Sequence, residues 1–200
     1  NELLSFESAI IATGSEPLEI KAFPCDHQKI FNSSSILELS SLPKKIAIIG
    51  GGYIGCEFAS LFAELGVSVS IVEALPSILS LQGATVSETM TRAFSKKGIE
   101  LVTNALVERI DTSGEGVTVH LKEKPALQAD IALVAVGRKI ASDSLGLEKA
   151  GVLVNPRGEI PVNSSMETGT PGIYAIGDVT GKFLLAHVAS HQGIVAASNA

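Results

Sequence analysis

Short apolar runs, separated by glycines and by segments of helical periodicity, fill the middle of the chain. Residues 45–49 form one such run, rich in isoleucine, which predicts a buried strand. Apolar residues then recur every three or four positions over 54–65, which predicts an amphipathic helix, and Gly66 follows as its cap. A second strand is predicted at 67–72. This order is a βαβ unit, because two parallel strands need a helical crossover.

The same pattern of apolar segments separated by glycines continues towards the C-terminus. It predicts a helix at 86–97, closed by Gly98, and a third parallel strand at 99–102. Residues 106–110 and 117–121 alternate apolar and polar positions around a glycine-containing turn, which is typical of an antiparallel hairpin or meander. The remaining predicted elements are strands at about 8–12, 130–136 and 172–176 and a helix at about 185–200.

Both ends of the chain look interrupted. The strand at 8–12 has no predicted partner before it, and the alanine-rich segment 195–200 reads as part of an unfinished helix. The first residue is Asn1, and no signal-peptide pattern follows it. We therefore expect a fragment of a larger protein, with one continuous α/β domain in the middle and pieces of a second domain at the two ends.

Composition and charge remove several classes of function. The chain is 46% hydrophobic with a net charge of −6, which suits a folded α/β protein and argues against a nucleic-acid surface. No stretch approaches the roughly 20 apolar residues that span a bilayer. Cys25 and Cys56 are isolated cysteines, which favours a reducing compartment. We expect a cytoplasmic protein, or one of the mitochondrial matrix in a eukaryote, that binds neither nucleic acid nor membrane.

A glycine-rich turn joins the first strand of the βαβ unit to its helix. Residues 50–55 read Gly-Gly-Gly-Tyr-Ile-Gly, a G-x-G-x-x-G motif in its required strand–turn–helix context. Gly50 permits the tight turn, Gly52 lets a diphosphate approach the backbone, and Gly55 allows the helix to pack close to the strand. The alternative is a turn without a ligand. The context favours dinucleotide binding through Gly50, Gly51, Gly52, Tyr53, Ile54 and Gly55.

An acidic residue stands where the second strand of the unit ends. Glu73 lies 23 residues beyond Gly50, the position from which a carboxylate accepts hydrogen bonds from ribose hydroxyls and repels the 2′-phosphate of NADP. Residues 74–80 contain no Arg or Lys that could receive that phosphate. The alternative is a solvated glutamate after a strand. The position predicts NAD rather than NADP.

Three further strand ends carry small motifs. They are Ala-Thr-Gly-Ser at 12–15, Gly-Arg at 137–138, and Thr-Pro-Gly-Ile-Tyr-Ala-Ile-Gly-Asp at 170–178. Each alone is an ordinary turn, but their order around the glycine turn resembles the pyridine nucleotide-disulphide oxidoreductases over essentially all 200 residues. Segments 145–151 and 185–187 are most similar to one branch of that family.

The resemblance implies roles for individual residues. Val107 would contact adenine, and Gly137 would let the nicotinamide half pass close to the chain. Glu57 would face the nicotinamide and a lysine beside the flavin, although a carboxylate favoured by the helix dipole explains this residue equally well. Asp178 would bind the ribityl chain of FAD. The flavin site would be lined further, mainly by backbone groups, at Thr13, Gly14, Ser15, Leu184, Leu185, Ala186 and His187.

The fold that the resemblance implies is α/β. A Rossmann-like NAD-binding domain, with a parallel sheet and a β-meander, would occupy 44–160, flanked by partial FAD-domain segments at 1–43 and 161–200. The parent enzyme would pass two electrons from a dithiol through a redox-active disulfide and FAD to NAD. It would be a homodimer and a component of a 2-oxoacid dehydrogenase complex. Other FAD- and NAD-dependent disulfide reductases, NADH oxidases and a simple nucleotide-binding module remain as alternatives.

The chain also departs from the family pattern. The usual G-R-x-P-N reads Gly-Arg-Lys-Ile-Ala at 137–141, and the family's C-x4-C motif and His-Glu pair are absent. Cys25 and Cys56 are 31 residues apart. We therefore predict no catalytic residue in this chain and expect it to be inactive alone. His187 and His191 have a spacing that can hold zinc, but without a third ligand we predict no metal site.

Overall fold

The structure is a computed structural model that describes residues 4–143 and 145–200. Strands alternate with helices between residues 45 and 102. The strands are β1 (Ala9–Ile11), β2 (Ser15–Pro17), β3 (Ile30–Asn32), β4 (Lys45–Ile49), β5 (Ser68–Val72), β6 (Glu100–Val102), β7 (Val107–Ser113), β8 (Gly116–Leu121), β9 (Lys124–Ala129), β10 (Ile131–Val134), β11 (Arg138–Ile140) and β12 (Ile173–Ala175). The α-helices are α1 (Tyr53–Glu64), α2 (Ala84–Lys96) and α3 (Ala186–Asn199), and 3-10 helices lie at Ser35–Glu38, Ser80–Gln82, Leu147–Ala150 and Gly177–Thr180.

The chain forms two compact units, which we call the inner unit (17–137) and the outer unit (1–16 and 138–200). The inner unit is built on a parallel sheet with the strand order β3-β10-β4-β5-β6. Its central strand β4 pairs with β5 on one side and with β10 on the other. Both faces of the sheet are covered around β4, so its apolar run is uninterrupted, as in other buried parallel strands.

Each face of this sheet carries its own hydrophobic core. Ile46 and Ile48 of β4 point to the face that α1 and α2 cover, where Phe62 and Phe94 are buried with them. The alternate residues of β4 pack on the opposite face against the antiparallel sheet β7-β8-β9. Side chains alternate along a strand, so the two cores use odd and even positions of the same strand. The inner unit is therefore a helix layer, a parallel sheet and a meander.

The outer unit is smaller and joins the two ends of the chain. β1 pairs in parallel with β12, and β2 pairs with β11. Its buried core includes Ile160, Ala175 and Val179, which are fully excluded from solvent. The helix α3 is held to the turn that follows β12, because buried Gln192 accepts a hydrogen bond from the Gly177 amide at 2.7 Å.

The predicted elements of the βαβ unit are confirmed to within two residues at each end, and the α/β fold class is confirmed. The structure adds strands at 30–32 and 124–129 and the pair formed by 15–17 and 138–140. These segments are short, polar or proline-containing, so they lack the periodic apolar pattern that marks the other strands. No helix between 4 and 143 or between 145 and 200 is long and apolar enough to cross a membrane.

The unit limits differ from the predicted domain limits of 44 and 160. β3 lies upstream of residue 44 and yet pairs with β10 in the parallel sheet. Downstream, Ile140, Leu147 and Val152 belong to the core of the outer unit although they precede residue 160. The differences arise because pairing and core contacts between distant segments cannot be read from local pattern. The assignment of the segments 1–43, 44–160 and 161–200 to NAD and FAD domains stays a prediction.

The packing of α1 on β4 generates a stability prediction with a matched control. A Cβ atom at Gly55 would lie 2.0 Å from the carbonyl oxygen of Gly50, which is backbone and cannot turn away. A Cβ at Gly193, also inside a helix, would lie at an ordinary 3.5 Å from Ile176. We expect Gly55→Ala to destabilise the protein by about 1–3 kcal/mol or more through overpacking. Gly193→Ala should leave stability unchanged or raise it by up to about 1 kcal/mol through helix propensity.

Urea unfolding followed by far-UV circular dichroism measures both variants under the same conditions. Equal unfolding midpoints for Gly55→Ala and the wild type would show that the helix relaxes away from the strand without cost, which contradicts the prediction.

Candidate functional site

The glycine turn between β4 and α1 is shaped by two contacts that exclude side chains. Gly50 has φ +107°, a region that favours glycine, and a Cβ there would lie 2.5 Å from the carbonyl oxygen of Ala135. Gly55 meets the backbone of Gly50 in the same way. At Gly52 the situation is the reverse, because no atom lies within 4 Å of the position that a Cβ would take. The turn is closely packed against backbone at Gly50 and Gly55 but faces open space at Gly52. A ligand can therefore reach its backbone at Gly52.

The open side of the turn is the N-terminal end of a helix. Gly52 is the N-cap residue of α1, with an extended backbone, and it offers no side chain that could cap the helix. The first intrahelical hydrogen bond runs from the Cys56 amide to the Gly52 carbonyl at 2.9 Å. Amide groups and the helix dipole give such an end a partial positive charge. An anion such as a diphosphate is therefore stabilised at this position.

Glu73 lies at the carboxyl end of β5, directly beside the glycine turn. Its Oε2 atom accepts a hydrogen bond from the Gly51 amide at 2.6 Å, and its Oε1 atom accepts one from the Leu75 amide at 2.8 Å. A carboxylate offers about four acceptor positions. Two positions therefore remain for donors from a ligand, such as a pair of hydroxyl groups.

The start of the glycine turn and Glu73 line one cavity of about 200 Å³ in the inner unit. Its walls are mostly apolar, and the Glu73 carboxylate supplies a polar edge. Such a cleft suits a flat ring with a polyol attached. It brings together three of the predicted site residues, Gly50, Glu73 and Val107, and its other lining residues are Phe23, Ile49, Val72, Ala74, Ala105, Leu106 and Val136.

A second cluster lies in the outer unit and contains two more of the predicted residues. The Ser15 hydroxyl donates a hydrogen bond to Oδ2 of Asp178 at 2.5 Å. Arg138 donates from Nε to the Ser15 hydroxyl and from Nη2 to the Ser15 carbonyl, both at 2.6 Å, and its Nε lies 3.6 Å from Asp178. The Arg138 and Asp178 side chains are each 22% exposed. Hydrogen bonds to charged groups are strong and directional, so this cluster fixes the orientation of the Asp178 carboxylate.

Sequence reasoning did not select Arg138 or Gln192. Arg138 was part of the Gly-Arg motif after a predicted strand, but only its neighbour Gly137 received a role. The available signal was an arginine directly after the glycine at the end of a predicted strand. Gln192 holds the Gly177 amide immediately before Asp178. Its burial on α3 was not readable, because the helix has little amphipathic character.

Three of the other predicted residues lie at the surface. Thr13, Glu57 and Gly137 are exposed. The Gly14 carbonyl accepts a hydrogen bond from the Ala141 amide at 3.0 Å, which ties the segment 13–15 to β11. The predicted residues 184–187 form the N-terminal end of α3 and the segment leading into it.

The two cysteines carry no sign of activation. Burial, followed by the charges of Glu73 and Glu57, raises the pKa of the Cys56 thiol to about 11. Burial and the neighbouring Glu19 raise the pKa of the Cys25 thiol to about 11 as well. Reactive cysteines have lowered values instead. Among the residues that the structure describes, no group of three or more His, Cys, Asp or Glu side chains could hold a metal ion.

Comparison with known proteins gives a consistent result along the chain. A family model described as pyridine nucleotide-disulphide oxidoreductase matches residues 1–193. The dihydrolipoyl dehydrogenase of Chlamydia pneumoniae is 50% identical over 190 residues, which are 95% of this chain and 41% of that protein.

Solved structures agree with the sequence comparison. The crystal structure of LpdA from Mycobacterium tuberculosis superimposes with a TM-score of 0.88 at 29% identity, over 95% of this chain and 41% of that one. The copper(II) complex of the flavoprotein disulfide reductase RclA from Escherichia coli also gives a TM-score of 0.88, at 33% identity, over 96% of this chain and 45% of that one. The chain therefore spans less than half the length of the relatives it matches.

The raised thiol pKa values predict slow and pH-dependent alkylation. With a pKa of about 11, only about one thiol in a thousand is ionised at pH 8, and the thiolate is the reactive form. We expect the rate of reaction of both cysteines with iodoacetamide to rise about tenfold per pH unit between pH 7 and pH 10. Mass spectrometry of timed samples measures each site separately. In urea the rates should level off near the ordinary pKa of about 8.5, and a native profile that levels off there as well would contradict the assignment.

Proposed function

The chain belongs to the pyridine nucleotide-disulphide oxidoreductase family, and on that basis we propose that it is the NAD-binding core of a dihydrolipoyl dehydrogenase. The observation that carries the proposal is the hydrogen bond that joins the strand-end carboxylate of Glu73 to the glycine turn, beside an open helix N-terminus at Gly52 and a mostly apolar cavity lined by Gly50 and Glu73. In a dinucleotide site the glycine turn and the helix N-terminus receive the diphosphate, the carboxylate receives the ribose, and an apolar cleft receives the adenine. The 50% identity to the dihydrolipoyl dehydrogenase of Chlamydia pneumoniae supports this choice of enzyme.

The inner unit fits NAD through residues that it already orients. Residues 50–55 would hold the diphosphate, since Gly52 leaves open space where a phosphate must approach the backbone. Glu73 would accept hydrogen bonds from the adenosine ribose, and Val107 would contact adenine in the apolar cleft. Glu57 and Gly137 would act at the nicotinamide half, as the family likeness suggests.

The same carboxylate supports NAD over NADP. A 2′-phosphate in this cavity would meet the negative charge of Glu73. No Arg or Lys occurs between 74 and 80 to receive it. Discrimination between NAD and NADP would come from repulsion of the 2′-phosphate by Glu73 as well as from attraction of the ribose hydroxyls.

The outer unit would contribute to the flavin site. Asp178, oriented by Ser15 and Arg138, would accept hydrogen bonds from the ribityl chain of FAD. The backbone at 13–15 and 184–187 would line the same site. When bound, the flavin and the nicotinamide carry an electron pair as hydride between them. The residues of this chain would bind and orient the two groups and exclude water from them.

The full-length protein would oxidise dihydrolipoamide and reduce NAD, as a homodimer and a component of a 2-oxoacid dehydrogenase complex in the cytoplasm. The redox cysteine pair and the acid–base pair would lie outside this chain, whose only cysteines are Cys25 and Cys56. For that reason the chain itself would supply no catalytic residue and would be inactive alone.

The 33% identity with a flavoprotein disulfide reductase favours one second candidate, a reductase of another disulfide. Steady-state turnover by a full-length protein that contains this chain separates the two. NADH formation from dihydrolipoamide and NAD supports the proposal. Absence of that reaction, together with oxidation of NADH by a different disulfide, would replace it with the second candidate.

FAD binding by the chain itself should be weak. The flavin diphosphate normally rests on a glycine turn of its own, and residues 1–44 contain no second G-x-G-x-x-G motif. We expect the purified chain to be colourless and to bind added FAD too weakly for stoichiometric retention on gel filtration. Absorbance near 450 nm measures the retained flavin, and one flavin per chain after gel filtration would refute this expectation.

Glu73→Ala should change nucleotide preference as well as affinity. Loss of charged hydrogen bonds to the ribose, at about 1.5–3 kcal/mol each, should weaken NAD binding by about 10–100-fold. Removal of the charge should also relieve repulsion of NADP, so the preference for NAD narrows. Adding a cation, as in Glu73→Ala combined with Leu75→Arg, should raise NADP affinity further.

Calorimetric titration of NAD and NADP against the wild type, Glu73→Ala and the double variant tests this series. A ratio of NAD to NADP affinity that stays the same in Glu73→Ala would mean that the glutamate does not set the choice of nucleotide.

A further inference from the structure

We propose that Glu73 is also the residue that holds the glycine turn in its binding shape before any nucleotide arrives. This inference deepens the proposed function, on which its ligand-binding part rests. It starts from a contact that a ribose ligand does not require. The Glu73 carboxylate accepts a hydrogen bond from the Gly51 amide of the protein itself at 2.6 Å, in a partly buried position.

The contact gives the Gly51 amide its acceptor, within a turn that is also held by the hydrogen bond from the Gly50 amide to the Val72 carbonyl at 2.8 Å. Gly51 has no side chain, and its carbonyl accepts a hydrogen bond from the Leu79 amide at 2.8 Å. The Cys56 thiol, which is a weak donor, also donates to this carbonyl at a long distance of 3.5 Å. Glycine has the widest backbone freedom of all residues, so three consecutive glycines order only where neighbouring groups hold them. Glu73 supplies the acceptor for the Gly51 amide.

The second oxygen of the carboxylate acts on another segment. Oε1 accepts the Leu75 amide at 2.8 Å, which bends the chain immediately after β5. Further along this segment, Ile78 is fully buried, and its carbonyl accepts the buried Ser87 hydroxyl of α2 at 2.7 Å. The Glu73 side chain is thus a bridge between the glycine turn and the segment 74–79, which is itself anchored to the helix layer.

The close packing around Gly51 supports the same bridge. A Cβ there would lie 2.7 Å from Ile78 and 3.1 Å from Oε2 of Glu73, so the turn, the segment and the carboxylate are in close contact. One side chain therefore couples the glycine turn, where the diphosphate would bind, to the cavity that would take the ribose. Preorganisation of this kind raises affinity because the ordering cost is met before binding. It follows that Glu73 contributes to the binding of nucleotides that lack the ribose hydroxyls altogether.

Amide hydrogen exchange of the 200-residue chain without added nucleotide, followed by NMR, tests the bridge. We expect Glu73→Ala to accelerate exchange at the Gly51 and Leu75 amides by about tenfold or more, as the loss of a hydrogen bond to a charged acceptor implies. Glu73→Gln keeps the size of the side chain but has a single acceptor oxygen, so it should retain protection of at most one of the two amides.

Glu100→Ala is the matched control. Glu100 is a carboxylate on the neighbouring strand β6, where it accepts the Ser70 hydroxyl at 2.6 Å, and its replacement should leave both amides protected. Unchanged protection of the β4 amides in every variant would show that the sheet is intact. Unchanged exchange at Gly51 and Leu75 in Glu73→Ala would overturn the inference.

The coupling to binding is measured with NAD and with the NAD analogue built on 2′,3′-dideoxyadenosine, which offers no adenosine ribose hydroxyl. We expect Glu73→Ala to weaken the dideoxy analogue by about tenfold. An analogue that binds Glu73→Ala and the wild type equally would restrict Glu73 to the ribose and overturn the coupling. Failure of the wild type to bind NAD at all would count against the proposed function, while the exchange comparison would still decide the bridge.

Discussion

The inner unit depends on the close approach of the helix α1 to the strand β4 at Gly55 and Gly50. Any side chain at Gly55 would strike the backbone of the turn at 2.0 Å. The helix can therefore begin immediately after the strand and keep its axis against the sheet. This places its positive end over the turn, while the apolar face of α1 buries Phe62 with the isoleucines of β4. Core packing and the anion-binding position thus follow from one steric constraint.

Much of this arrangement was predictable because it depends on local sequence. Glycines at 50, 52 and 55 define the turn, and period-3.6 and unbroken apolar patterns define the helix and strands around it. Glu73 was also predictable, because the βαβ geometry brings the end of the second strand next to the first turn. These features need no knowledge of the rest of the chain.

Most of the features that could not be predicted join distant segments. Ser15 contacts Asp178 across 163 residues, and Arg138 reaches both from a third segment. The strand β3 is three residues long and reads as part of a serine-rich loop until β10 pairs with it. The hydrogen bonds of Glu73 to two amides depend on the path of the backbone in three dimensions. Residue type identified Glu73 as an acceptor, but only the structure identifies which donors it meets within the protein.

The order of the strands has a consequence for the time at which the glycine turn can form. β4 lies between β5 and β10, and its residue Ile46 pairs with Ile131, 85 residues later in the chain. The backbone of Ala135, directly after β10, is also the surface on which Gly50 rests. During synthesis on a ribosome, the turn therefore lacks its contact with Ala135 until the meander and β10 have emerged. Until then one edge of β4 has no partner strand. The partly synthesised chain can mispair at this edge or be bound there by chaperones.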